Sequence, residues 1–214
     1  MGPLVSTAGA GGPLLEWGVA SANQPGQRTS GDGHIVREIT GGVLIAVVDG
    51  LGHGEEAAVA TARALQAVVA EGSPSVIVTV RRCHEALLNT RGVVMSVAFF
   101  NAADNMMSWL AIGNVDGILH RADPNAVPGR EAIITRGGVV GLRLPLLQAV
   151  VTSVAPGDVL VLATDGVRSS FQEKVPSGSS PQRLADQLLE QYANRTDDAL
   201  VFVARYLGRE GPQS

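Results

Sequence analysis

The stretch Ala46-Val47-Val48-Asp49-Gly50-Leu51-Gly52-His53-Gly54-Glu55-Glu56-Ala57-Ala58 changes character twice. It leaves a β-branched run that starts at Val43 and reads as a buried strand. It then passes through glycines and enters a helix. From Glu55 to Glu71 the residues Ala58, Ala62, Leu65, Val68 and Val69 recur at helical spacing. Glu55 and Glu56 fall in the first turn, where the helix dipole favours negative charge. A lone Asp-Gly is usually a tight turn, and Asp116-Gly117 is read as one. Asp49 differs because a buried strand delivers it. Val161-Leu162-Ala163-Thr164-Asp165-Gly166 repeats the arrangement.

Working outward, Leu14–Ser21 and Gly33–Ile39 read as strands. Ser73-Pro74 starts a second helix, with Val76, Ile77, Val80, Leu87 and Leu88 as its buried stripe, and Gly92 ends it. Strand-like runs follow at Val93–Phe100, Asn105–Ile112, Val115–Arg121, Glu131–Arg136, Gln148–Val154 and Val159–Thr164, separated by short breaks. Such short connections suit antiparallel neighbours, since a parallel crossover needs about a dozen residues. A flexible connection, Lys174–Ser180, precedes a helix over Pro181–Ala193 built on Leu184, Leu188, Leu189 and Tyr192. Leu200–Leu207 closes the chain as a strand. This order predicts an α+β protein with antiparallel sheet. One domain over residues 14–208 is expected, with a mobile tail at 1–13 and a second tail at 209–214.

A chain of 214 residues, 45% hydrophobic, suffices for one substantial core. Its apolar runs are far short of the roughly 18 to 20 residues of a membrane helix, and its start does not read as a secretory signal. The single cysteine, Cys83, excludes an internal disulfide and a thiolate cluster, and favours a reducing compartment. A charge of −4 with scattered Lys and Arg argues against nucleic acid as a partner. A cytoplasmic monomer without membrane contact is expected.

Asp32, Asp49, Asp165, Asp197 and Asp198 all stand near the ends of strand-like runs, where carboxylates can converge on one rim. Clustered carboxylates suit hard divalent cations such as Mg²⁺ or Mn²⁺. A glycine beside a ligand lets the backbone approach the ion. Zinc of the structural kind is disfavoured, because paired histidines and thiolates are absent.

Val48-Asp49-Gly50-Leu51-Gly52-His53-Gly54, Ala163-Thr164-Asp165-Gly166-Val167 and Thr196-Asp197-Asp198-Ala199-Leu200-Val201 resemble, in order and spacing, the metal-binding motifs of the PPM protein phosphatases in their SpoIIE-like branch. Small size and Ile112-Gly113-Asn114-Val115 are most similar to the RsbX-type members. The resemblance covers roughly residues 15 to 207. It implies two antiparallel sheets stacked face to face with helices outside, an αββα sandwich. It also implies two divalent cations, Mn²⁺ or Mg²⁺, bridged by Asp49, with the Gly50 carbonyl on one and Asp165 and Asp197 on the other. Asp32 would ligate through water, and Asp198 would be an outer member. Asp49 and Asp165 would be the catalytic pair. The implied reaction is hydrolysis of phosphoserine or phosphothreonine on a signalling partner of stressosome type, by in-line attack of a metal-bridging hydroxide.

Departures from the family pattern fall on the general acid and the phosphate clamp. Leu51 and Gly52 directly follow Asp49-Gly50, so His53 comes late for an acid and is read as a loop histidine bonded to backbone. Arg28 is read as a solvated loop charge. A cysteine mechanism at Cys83 lacks a base and a phosphate loop. Two competing readings are a catalytically inactive module that docks on a phosphorylated partner, and a nucleotide site at Gly50–Gly54. Clustered carboxylates, costly without a use, argue against the first. The missing Lys-Ser/Thr argues against the second.

Overall fold

Val43 to Val48 is buried on both faces. Val43, Ile45 and Val47 enter the core between two sheets, whereas Leu44, Ala46 and Val48 pack under helices. Strict alternation of contacts along a continuous apolar run is what a strand inside four layers requires. The computed structural model describes residues 12–173, 178–194 and 196–208. The expected tails lie outside these residues apart from 12 and 13, as do residues 174–177 of the expected flexible connection.

Among the described residues, ten strands form two five-stranded sheets. One sheet holds β1 (Leu15–Ala22), β10 (Ala199–Tyr206), β9 (Val159–Ala163), β6 (Asp116–His120) and β7 (Arg130–Ala132), in that order. The other holds β2 (Asp32–Ile39), β3 (Gly42–Gly50), β4 (Val93–Asn101), β5 (Met106–Ile112) and β8 (Val150–Ser153). Every strand pairing within them is antiparallel. Helices α1 (Glu55–Glu71) and α2 (Val76–Ala86) cover the second sheet, and α3 (Pro181–Tyr192) covers the first. This is the αββα sandwich. Among the described residues no helix is long and apolar enough to cross a membrane.

Several boundaries differ from the sequence reading. On α1 the buried residues are Ala57, Ala60, Thr61, Ala64 and Val68, while Val69 is exposed. Small side chains face inward because α1 lies close to β3: a Cβ on Gly50 would stand 2.4 Å from the Ala57 carbonyl oxygen. Ser75, not Ser73, caps α2, accepting from the Val78 N–H at 3.4 Å. Cys83 joins its buried stripe and Leu88 does not. Asp116-Gly117 is not a turn but the start of β6, where a Cβ on Gly117 would meet the Trp109 ring at 2.2 Å. The strand expected over Glu131–Arg136 shortens to β7, with Arg136 bridging to Ile112.

Candidate metal centre

Asp32 opens β2 and stands opposite Asp49 in the ladder with β3. Asp165 follows the end of β9, and Asp197 and Asp198 precede β10. Because β9 and β10 are neighbours in one sheet and β2 and β3 in the other, stacking the sheets brings all five carboxylates to one end. There they line a cleft of about 320 Å³ together with Gln24, Leu51, Gly52, His53, Val94, Asn114 and Val139.

Four of the aspartates are held by neutral donors. The Thr164 hydroxyl donates to Asp32 at 2.7 Å and accepts from the Leu200 N–H at 2.9 Å. The Asn114 side-chain amide donates to Asp165 at 2.6 Å. Asp198 is buried and uses both oxygens, accepting from the Gln24 N–H at 2.8 Å and the Gly31 N–H at 2.7 Å. It therefore clamps the segment that leads into Asp32. Asp197 is exposed and accepts from the Asp198 N–H at 2.9 Å.

Burial pushes the Asp32 carboxyl up to about 7, the Thr164 hydrogen bond opposing and nearby aspartates adding to the rise. Burial pushes Asp49 up to about 8, again with its aspartate neighbours. Partial burial and then Asp197 raise Asp165. Among the described residues no Lys, Arg or His pairs with any of the five. A set of hard oxygens with unbalanced charge fits divalent cations such as Mg²⁺ or Mn²⁺. Among the described residues no three Asp, Glu, His or Cys side chains form a ready-made cation cage. The cleft is thus an open donor set, of the kind that takes up water, carbonyl and amide oxygens as well.

The family model described as Stage II sporulation protein E (SpoIIE) matches residues 40–207. The chain belongs to the SpoIIE family. Its sandwich is the fold of solved PPM serine/threonine phosphatases. The SpoIIE-family chain is 24% identical over 183 residues to phosphoserine phosphatase RsbX of Bacillus subtilis (strain 168), covering 84% of this chain and 89% of that protein. It superposes with a TM-score of 0.80 on a chain solved in work on the bacterial stressosome, at 25% identity, covering 89% of this chain and 99% of the other. RsbX in complex with magnesium gives a TM-score of 0.79 at 22% identity, over 90% and 95% of the two chains.

The four aspartates of the SpoIIE-like motifs and Asp32 meet in the cleft; Gly50, next to Asp49, is buried and does not line it. Both motif glycines answer to close packing. A Cβ on Gly166 would stand 1.8 Å from the Asp198 carbonyl oxygen, so Asp165 and Asp198 approach only across a glycine. His53 lines the cleft and is exposed. Arg28 is exposed and stands outside it. Sequence reasoning does not single out Thr164 or Gln24, and Asn114 enters it only as part of a motif. Their partners are 132, 174 and 51 residues away, so local pattern carries no trace of them.

Proposed function

We propose that this chain is a cytoplasmic, monomeric phosphatase that hydrolyses phosphoserine or phosphothreonine on a stressosome-type signalling protein. The supporting observation is the convergence of five aspartates from both sheets on one open cleft, with Asp32 directly opposite Asp49. Asp49, Asp165 and Asp197 would hold two divalent cations, Mn²⁺ or Mg²⁺, and Asp32 would add an outer contact. When bound, such ions supply an acidified water as nucleophile and neutralise the phosphate.

The protein's own part is to orient and to exclude. Thr164 sets Asp32, Asn114 sets Asp165, and Asp198 locks the segment beneath them. Leu51, Val94 and Val139 supply the apolar part of the wall. His53 lines the same cleft, where it serves to protonate the leaving serine oxygen. The identity and arrangement of RsbX, a phosphoserine phosphatase, support the substrate class.

Stripping the protein with EDTA and restoring Mn²⁺ or Mg²⁺ while following phosphate release from a phosphoserine protein tests this reading. Activity lost and regained supports it. Metal binding without turnover on any phosphoprotein would leave the docking module as the better account.

A further inference from the structure

Gln24 is the neutral amide side chain of the cleft wall that touches the Asp197–Asp198 turn. Its backbone N–H donates to Asp198 at 2.8 Å, and its Nε2 donates to the Thr196 carbonyl at 3.2 Å. A carbonyl only accepts, so this contact fixes which end of the amide is nitrogen. The other end, Oε1, is buried and has no hydrogen-bond partner among the described residues. A buried acceptor left unpaired carries a desolvation cost. A hard cation removes that penalty, and amide oxygens are established donors to such ions.

Resting on the metal-centre reading above, we infer that Gln24 is a further oxygen donor of the centre, turning Oε1 into the cation shell on the Asp197 side. The segment Gln24–Asp32 is then more than a support. It brings an amide oxygen from one end and a carboxylate from the other, pinned between them by Asp198.

Calorimetric titration of the metal-stripped protein with Mn²⁺, together with the metal-induced rise in melting temperature, tests this without turnover. Gln24→Leu removes Oε1 and is expected to weaken Mn²⁺ binding by about 10-fold or more, as loss of a site-supporting group does. Gln24→Glu keeps an oxygen there but loses the Thr196 bond. It is expected to melt lower without metal, yet to bind Mn²⁺ at least as tightly as wild type and gain more on melting. Asn23→Asp adds the same charge at the exposed neighbour and is expected to leave affinity unchanged.

Equal weakening in the Leu and Glu variants would assign Gln24 a purely structural role and overturn the inference. So would Mn²⁺ affinities in both that match wild type. If the Leu variant does not fold, the Glu variant decides, tighter binding supporting and weaker binding opposing. Absence of Mn²⁺ binding by wild type would overturn the metal-centre reading itself, a result distinct from these.

Discussion

The hydroxyl of Thr164, at the end of β9, donates to the carboxylate of Asp32, at the start of β2, at 2.7 Å. This bond joins the two sheets at the cleft, and its second half, acceptance from the Leu200 N–H at 2.9 Å, locks the hydroxyl's direction. Thr164→Val keeps the shape but removes both functions. The orphaned Leu200 N–H is expected to cost about 1–3 kcal/mol. Metal affinity should fall about 10–100-fold as Asp32 loses its orientation. Thr164→Ser should recover both, as read by chemical denaturation and metal titration.

Stability of the metal-free protein should depend on pH through Asp32 and Asp49. Both have folded values raised from 3.8, to about 7 and about 8. A carboxyl raised on folding favours the folded state when protonated. Its contribution is therefore fully present below about pH 4 and is lost as pH rises through 7 and 8. Asp49→Asn should flatten the upper part of this loss in metal-free melting curves. Metal binding requires ionised carboxylates, so Mn²⁺ affinity should instead increase over the same range and binding should release protons.

His53 offers a test through the leaving group. Loss of a general acid matters most where the departing oxygen is a strong base, as a serine alkoxide is. His53→Ala should slow hydrolysis of a phosphoserine protein by about 100-fold or more. An aryl phosphate, whose phenolate departs without help, should be nearly unaffected. Equal slowing of both substrates in steady-state assays would remove His53 from the proton path.

Gly117 carries a stability prediction independent of the cleft's chemistry. A Cβ there would lie 2.2 Å from the Trp109 ring and 2.7 Å from Leu162. Trp109 is itself fixed by donating to the Ser96 hydroxyl at 2.8 Å. Gly117→Ala should destabilise the protein by about 1–3 kcal/mol, the usual range for overpacking. Mn²⁺ affinity at low temperature should be retained.

What the sequence makes legible follows from locality. The strand-turn-helix run through Asp49 is read correctly because strand burial, glycine turn and helix start all lie within one contiguous stretch. The face of α1 is misread because alanines carry little hydrophobic signal, although closeness to β3 demands them. Asp116-Gly117 looks like a turn because nothing nearby in sequence announces the Trp109 ring. The aspartates are found by their motifs, whereas Thr164, Asn114 and Gln24 act across sheets and loops that only the fold brings together. His53 is discounted by its spacing after Asp49-Gly50, yet the loop turns it into the cleft lining.

The most direct test compares wild type with Asp49→Asn and Asp165→Asn for phosphate release from a phosphoserine protein in Mn²⁺. Both variants are near-isosteric, so folding should survive. Each is predicted to lose more than the about 10–100-fold that outer supporting groups cost, with weaker Mn²⁺ binding in both. Turnover near the wild-type rate in either variant would contradict the two-cation phosphatase account.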